Sequence, residues 1–194
     1  MEPRYKLKTA ATFEPVDIAA LKRNLHIVES DTTQDTYLQE ILSAVIEDVQ
    51  TSIGRQLARA TYTGYLDEFP DDGEDLDITL GPVAAVTSVK YYDADDVLTT
   101  MSAADYQLDN IDLTARIRFL ETYTLYEDKM NAIEIEFTTG WATAGAIPKE
   151  LRDALILLAS DRYLNPENAY LNFGASIKRT AADQIMRKYR VQRY

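Results

Sequence analysis

The sequence contains no cysteine and a single histidine, His26, among its 194 residues. A disulfide scaffold, a thiolate zinc site and a cysteine nucleophile are therefore excluded, and so is a histidine-rich metal site. A serine nucleophile needs a nearby base, and no Gly-x-Ser-x-Gly segment accompanies His26. The usual catalytic arrangements built on thiol or imidazole groups are thus missing, and we expect no catalytic residues.

Glycine and long apolar runs are also scarce. The seven glycines are scattered, and the segment after Gly54 lacks the Lys-Ser/Thr pair of a phosphate-binding loop. No apolar run approaches the roughly 20 residues of a membrane span, and residues 1–8 are not followed by an apolar stretch, so we expect neither a signal peptide nor membrane association. With 46% hydrophobic residues, however, the chain can bury a core.

Positive charge is in deficit and unevenly placed. Thirty-two acids against twenty bases give a net charge of −12, which disfavours binding to free nucleic acid or an anionic membrane. Residues 60–140 hold 18 acids and 4 bases, whereas residues 175–194 hold six bases and one acid. Such asymmetry is typical of surfaces for different partners, although solvated faces give the same pattern.

Apolar residues at helical spacing predict two helices before residue 54. The first covers residues 15–26, with Pro15 in its first turn. The second carries a long apolar stripe from Leu38 to Ile53; Asp31 or Asp35 is expected to cap its start, and Gly54 to end it in a left-handed turn.

Two further helical segments follow much later. Pro148 is expected to open a helix that Asn165-Pro166 stops. A helical tail then carries Ile185 and Tyr189 four residues apart.

Between Gly54 and Gly140 the apolar period changes to two, which is typical of strands. The short Tyr5–Thr9 segment alternates in the same way and fits a strand or an arm. Six short strands without room for crossover helices indicate an antiparallel sheet or small sandwich. The predicted strands cover residues 61–66, 76–80, 86–92, 97–100, 115–120 and 133–139.

The element order predicts an α+β fold, with a helical-bundle body, an inserted antiparallel β-sheet or small sandwich, and a helical C-terminal arm. We expect residues 1–59 and 141–167 to form the body. Residues 60–140 would form the acidic insertion, and residues 168–194 the basic arm.

Two acid clusters in the insertion are candidate functional groups, because paired carboxylates serve both acid–base chemistry and hard cations. Neither matches a calcium-binding loop, since Gly73 falls too early and no terminal Glu follows. Acid-rich turns also form for their turn chemistry alone. A carboxylate-dependent metal-binding enzyme or domain therefore stays an alternative, with no metal or cofactor assigned. The acidic insertion surface comprises Asp71, Asp72, Glu74, Asp75, Asp77, Asp93, Asp95 and Asp96.

Tyrosine is abundant, with thirteen residues. A stacking platform for single-stranded nucleic acid needs basic residues between the rings, and here the neighbours are acids. Rings packed on one sheet face are the simpler expectation, and a nucleic-acid-binding module is a weaker alternative. The tyrosines in or beside the strands are Tyr62, Tyr65, Tyr91, Tyr92, Tyr106, Tyr123 and Tyr126.

The basic arm suits docking on an acidic protein surface better than binding to DNA, because the rest of the chain is acidic. DNA contact and plain solvation stay open. The proposed docking residues are Lys178, Arg179, Ile185, Arg187, Lys188, Tyr189 and Arg190.

The order and spacing of several short segments resemble the head–tail connector (adaptor) family of tailed phages, prophages and related gene transfer agents. The resemblance extends from about residue 5 to residue 167. The segments that carry it are Leu21-Lys22, Leu25 and Ile27; Asp35, Leu38, Leu42 and Val45; Ile53-Gly54-Arg55-Gln56-Leu57; Asp67-Glu68-Phe69-Pro70; Leu80-Gly81-Pro82-Val83; Val86-Thr87-Ser88-Val89; Tyr106-Gln107-Leu108-Asp109; Phe137-Thr138-Thr139-Gly140-Trp141; and Ile147-Pro148 with Leu151 and Ala154.

This resemblance implies a structural role in the virion neck and no enzymatic activity. Family members form a ring, usually twelve-fold, beneath the portal protein. The ring lets double-stranded DNA pass without tight binding, and its lower face receives a stopper or tail-completion protein. The resemblance implies that the C-terminal segment reaches the portal and that the protein is made in the cytoplasm of a host bacterium. The acidic insertion of one subunit could also meet the basic tail of its neighbour.

Overall fold

The computed structural model describes residues 3–71, 73–166 and 177–191. The chain forms two compact units. Residues 1–12 and 58–142 make up the β unit, and residues 13–57 and 143–194 the helical unit. The fold is α+β, as the sequence predicts. None of the helices in the described ranges combines the length and apolar character needed to span a bilayer.

Within the described residues, the β unit contains eight antiparallel strands in two sheets. The five-stranded sheet has the order β1-β2-β8-β4-β5, and the three-stranded sheet the order β3-β7-β6. The strands are β1 (Arg4–Thr9), β2 (Ala60–Leu66), β3 (Leu76–Ile78), β4 (Val83–Tyr92), β5 (Leu98–Thr100), β6 (Tyr106–Asp109), β7 (Ala115–Phe119) and β8 (Ile133–Thr139).

One apolar cluster joins the two sheets. Alternate residues of β8, namely Ile133, Ile135 and Phe137, are fully buried in it, because successive strand side chains point to opposite faces. Ile117 of β7 and Ile78 of β3 complete the cluster from the three-stranded sheet. The β unit is therefore a small sandwich with a shared core, as its alternating sequence indicates.

Gly140 closes β8 at a point where no other residue fits. Its φ is +91°, and a Cβ added there would lie 2.6 Å from the carbonyl oxygen of Ala58. Its N–H donates to the carbonyl of Pro82 (2.9 Å), and the carbonyl of Trp141 accepts from the N–H of Arg59 (3.0 Å). The glycine thus lets the chain pass tightly against residues 58–59.

The helical unit begins with α1 (Ile18–Leu25) and α2 (Asp35–Ile53). The Asp17 carboxylate caps α1 by accepting from the N–H of Ala20 (2.7 Å), and His26 ends it with a φ of 58°. Gly54 ends α2 with a φ of 69°, and its N–H donates to Gln50, which confirms the predicted left-handed turn.

The predicted starts of both helices were wrong. Pro15 lies outside α1, because Asp17 supplies the capping carboxylate. Neither Asp31 nor Asp35 caps α2: the cap position is Gln34, which makes no side-chain capping bond. The Asp31 carboxylate instead accepts from Thr33, and Asp35 pairs with the buried ammonium of Lys22 at 2.5 Å.

The helical unit is completed by a 3₁₀ turn (Ala144–Ala146), α3 (Lys149–Leu164) and α4 (Ile177–Tyr189). Helix α4 contacts both α2 and α3. Among the α4 side chains that the structure describes, those of Ala182 and Met186 are buried. The helical character of this segment agrees with the prediction, but α4 packs on the helical unit rather than extending as a separate arm.

Two features of the β unit also differ from the expected organisation. Residues expected in the helical body form β1, which pairs with β2 and supplies an edge of the five-stranded sheet. β6 was not predicted, and it pairs with β7 to extend the three-stranded sheet. β1 pairs with a strand that is distant in sequence, and β6 is too short to show a clear alternation. Local periodicity therefore did not reveal either pairing.

Candidate interaction surfaces

One acid of the first cluster, Asp75, is paired with two arginines of β7. Arg118 pairs with both carboxylate oxygens of Asp75, at 2.7 and 2.9 Å. Arg116 lies 2.6 Å from Asp109 and 3.9 Å from Asp75. Hydrogen bonds from Arg118 and Arg116 hold the pKa of Asp75 and of Asp109, respectively, below the ordinary value. Together with Gln107 and Leu108, these four residues line a shallow cavity of about 230 Å³.

The other acids of this cluster that the structure describes, Asp71, Glu74 and Asp77, are solvent-exposed. Asp71 and Glu74 flank a turn in which the Glu74 N–H donates to the Asp71 carbonyl (2.9 Å). Asp77 is opposite Arg116 in the β3–β7 register. Asp72 lies outside the described residues.

The second acid cluster shapes the turn between β4 and β5. The Asp93 carboxylate accepts from the N–H groups of Asp95 and Val97, each at 3.0 Å, and from the Thr99 hydroxyl at 3.1 Å. The hydrogen bond from Val97 is the main reason that the pKa of Asp93 is lowered. Asp96 occupies the left-handed region, with a φ of 60°.

In the described part of the chain, no group of three or more acidic or histidine side chains is arranged to hold a metal ion. The two acid clusters differ in structure: Asp75 of the first pairs with arginines, and Asp93 of the second organises a hairpin turn. Whether either also meets a partner stays a prediction.

The C-terminal basic residues are divided between internal bonds and solvent. Lys188 pairs with Glu150 of α3 at 2.9 Å, and that hydrogen bond raises its pKa. Arg190 donates to the carbonyl and the hydroxyl of Ser52, at 3.0 and 2.9 Å. Arg187 is exposed, and no ion pair involves it among the described residues.

The other proposed docking residues lie on or near the packed side of α4. Ile185 and Tyr189 are half-buried, and the Tyr189 carbonyl accepts from Nε of Arg55 at 2.5 Å. Lys178 and Arg179 belong to α4, but their side chains lie outside the description.

The Ile53–Leu57 segment explains how the end of α4 is held. Gly54 turns the chain, and Arg55, only 6% exposed, reaches the carbonyl of Tyr189. Burial lowers the pKa of Arg55. The N–H of Val191 donates to the carbonyl of Ile53 at 2.9 Å. This segment therefore anchors the C-terminal end of α4 through hydrogen bonds.

The sequence led us to expect the tyrosine rings on one sheet face, and this prediction was wrong. Tyr91 lies in the core cluster and Tyr62 packs against it, whereas Tyr65 and Tyr92 point to the opposite face of the five-stranded sheet. Strand alternation separates them, since 62 and 65 differ by an odd number. Tyr123 stacks on Tyr91 with ring centroids 4.7 Å apart; its hydroxyl donates to Asp105, which raises its pKa to about 12.

A groove on that opposite face was not anticipated from the sequence. The ammonium of Lys129 lies 3.8 Å from the ring centroid of Tyr92, and Met130 beside it is 69% exposed. The groove has a volume of about 450 Å³. The alternation of Lys6 with Tyr5 and Leu7 indicates a strand, but the sequence does not show that this strand pairs with β2. We name it the tyrosine groove; its lining residues are Lys6, Tyr65, Tyr92, Lys129, Met130, Asn131 and Glu134.

Comparison with solved structures shows that this fold is shared over nearly the whole chain. A structure described as the neck of an empty gene transfer agent particle computed with C6 symmetry has a TM-score of 0.77 at 23% identity, covering 98% of this chain and 97% of the other. The virion of a native gene transfer agent particle gives 0.77 and 23%, covering 98% and 96%. The neck of a native particle computed with C12 symmetry gives 0.71 and 22%, covering 98% and 97%. No family model matches the sequence, and no curated protein does either.

Proposed function

We propose that this chain is a structural subunit of a virion neck, a head–tail connector that assembles as a ring beneath the portal. The observation that carries the proposal is the shared fold, which covers 98% of this chain and 97% of a chain from a gene transfer agent neck. A match of both units in one chain is more specific than a match of either alone. In the virion, the ring would let DNA pass and would offer its lower face to a stopper or tail-completion protein.

The charge of the β unit supports this role. The unit holds nineteen acids and eight bases, which gives −11 of the total charge of −12. Association with DNA is driven by release of counterions from phosphates paired with bases. A strongly acidic subunit gains little from that release, and DNA would slide past a ring of such subunits without being held.

The symmetry of the solved relatives supports the ring. They were described with C6 and C12 symmetry, and a closed ring needs two different, complementary patches on each subunit. We propose twelve copies in the ring of this protein.

Helix α4 is the proposed portal-facing element. Lys188 and Arg190 are engaged within the helical unit, so Arg187 is the described base most available to an acidic partner. Deletion of residues 175–194 would uncover the apolar surface beneath Ala182 and Met186. A charge reversal at Arg187 is therefore a cleaner test than truncation.

The test is co-sedimentation of the full-length protein with portal-bearing heads. Arg187→Glu is expected to reduce binding and leave the thermal midpoint unchanged. Arg23→Glu is the matched control, because Arg23 is exposed on α1 and is outside the proposed docking set. Unaltered binding of Arg187→Glu would refute the portal-facing assignment of α4. Absence of binding by the unmodified protein would refute the connector function itself.

The enzymatic alternative gains no support from the described residues. The carboxylate oxygens of Asp75 and Asp93 already accept hydrogen bonds from an arginine and from backbone N–H groups, respectively. Turnover of a substrate that is lost in Asp93→Asn and Asp95→Asn variants would restore it.

A further inference from the structure

The five-stranded sheet has an outward face that gathers most of the bases of the β unit. The alternation of β1 places Arg4 and Lys6 on one side. Lys8, at an irregularity of the β1–β2 register, joins them by pairing with Glu136 of the same face. The register carries that side across the sheet through Tyr65 and Glu134 to Lys90. With Lys129 over Tyr92, five of the eight bases of the unit lie on or beside this face. The face therefore holds most of the bases of the unit, alongside the acids Asp67, Glu134 and Glu136.

Three of these five bases already have partners, which leaves Lys6 and Lys90 without an ion pair among the described residues. Arg4 pairs with Asp67 and Lys8 with Glu136, and Lys129 pairs with Asp96. Lys6 has no ion pair within the described residues, and it lines the tyrosine groove. The groove therefore combines aromatic walls and the exposed thioether of Met130 with an available ammonium group.

A complementary feature occurs at the turn between β6 and β7. Ile111 is 92% exposed there, the most exposed of the large apolar side chains in the described ranges. Asp112 follows it and is also exposed, with no ion pair among the described residues. We name residues 109–112 the β6–β7 tip. The tip thus presents an exposed apolar side chain and a negative charge, whereas the groove presents aromatic rings and a positive charge.

The β6–β7 tip is held in shape by four hydrogen bonds. The Asp109 carboxylate accepts from the N–H of Ile111 (3.3 Å) and from Arg116 (2.6 Å). The Asn110 amide donates to the carbonyls of Val83 and Ala84, at 3.2 and 3.1 Å. Because the tip is already ordered, docking would lose little conformational entropy.

We propose that the β6–β7 tip of one copy inserts into the tyrosine groove of the next copy, with Ile111 between the rings of Tyr65 and Tyr92 and Asp112 against Lys6. The two patches differ, so the contact is head-to-tail, the type that generates a ring. The inference rests on the proposed function, for which it supplies a copy-to-copy contact. Charge complementarity selects a second copy as the occupant: the Asp112 carboxylate meets the Lys6 ammonium, and neither group has an ion pair among the described residues.

Disulfide trapping tests this contact directly, because the native sequence has no cysteine. Ile111→Cys and Met130→Cys each replace an exposed side chain, so both variants should fold. The two single variants, one carrying a size tag, are mixed, assembled with portal-bearing heads and oxidised. We expect a mixed disulfide dimer, whereas the pair Val28→Cys and Met130→Cys, with Val28 also 69% exposed, should give none.

A charge exchange provides the second readout. Lys6→Glu and Asp112→Lys are each expected to weaken ring formation, and the double variant to recover it, because the reversed pair is attractive again. Ile111→Asp is expected to weaken copy-to-copy association by about tenfold or more, as for an apolar residue at an interface centre.

The outcomes separate the inference from the function on which it rests. Rings that form normally with Ile111→Asp, or that give no mixed disulfide, overturn the contact and leave the connector function standing. Crosslinks from Met130→Cys to the portal or to another neck protein also overturn it, since the groove would then have a different occupant. If the unmodified protein forms no ring with portal, the connector function fails, and this contact fails with it.

Discussion

Arg118 and Asp75 form a two-point ion pair in the β unit, with Nε–Oδ1 and Nη2–Oδ2 distances of 2.7 and 2.9 Å. Planar pairing of this kind is the geometry in which guanidinium and carboxylate groups match best. It shows that a carboxylate of an acid-rich loop can serve a structural role by pairing with an arginine of the same unit.

Acid should weaken the fold through carboxylates of this kind. The pKa values of Asp75, Asp93 and Asp109 are lowered in the folded chain, so their stabilisation is present above the unfolded value of about 3.9. It is lost as the pH falls below about 4, through the lowered folded values. Urea midpoints measured from pH 7 to pH 2 should fall most steeply in that window.

The variant Asp93→Asn should show this dependence at a single site. It is expected to be less stable than the unmodified protein at pH 7, and the difference should shrink as the pH falls and the Asp93 carboxylate becomes protonated. Asp95→Asn is the control, because the Asp95 carboxylate takes no part in the turn bonds described above. A constant difference across the pH range would contradict the assignment.

Gly140→Ala should be severely destabilising. A left-handed residue costs about 1–2 kcal/mol when it carries a Cβ, and here that Cβ would meet the Ala58 carbonyl at 2.6 Å. We expect a total loss of about 3 kcal/mol or more in the free energy of unfolding, measured by urea denaturation.

Gly73→Ala isolates the conformational part of that cost. Gly73 has a φ of +83°, but no atom lies within 4 Å of an added Cβ, so only about 1–2 kcal/mol should be lost. Equal losses in the two variants would show that the contact with Ala58 is unimportant.

Arg55→Met should loosen the end of α4. The variant loses the bond to the Tyr189 carbonyl, and a hydrogen bond from a charged group contributes about 1.5–3 kcal/mol. Hydrogen exchange in α4 should accelerate more than exchange in α2. Arg23→Met, at an exposed position on α1, should leave hydrogen exchange in both helices unchanged. Unchanged exchange of α4 in Arg55→Met would contradict the role of Arg55 in holding the end of α4.

The isolated protein should not retard double-stranded DNA in a gel, even at about 50 mM salt, where electrostatic binding is favoured. The expected reason is its net charge of −12. A basic DNA-binding protein run alongside serves as the positive control. Salt-sensitive retardation by this protein would support the nucleic-acid-binding alternative.

Local patterns in the sequence predicted the long helices and most strands. The apolar stripe of α2, its glycine ending and the alternation of β8 are each set by neighbours within a few residues. Gly54 was recognised as a helix end because left-handed backbone favours glycine, and Gly140 was recognised as the end of the strand region. These features needed no knowledge of distant contacts.

Nonlocal contacts escaped prediction. The place of β1 in the sheet depends on β2, more than fifty residues away, so Lys6 could not be placed beside Tyr92. The burial of Lys22, whose ammonium group binds the carbonyls of Glu29 and Asp31, diverted Asp35 from its expected capping role. The tyrosine groove depends on such pairings and was missed for that reason.

The central claim is best tested by locating the protein in its particle. Cryo-electron microscopy of mature particles should show a ring of this chain at the joint between the head and the tail, and particles made without the chain should lack that ring and a joined tail. Complete head–tail joints in particles made without it would contradict the proposed function.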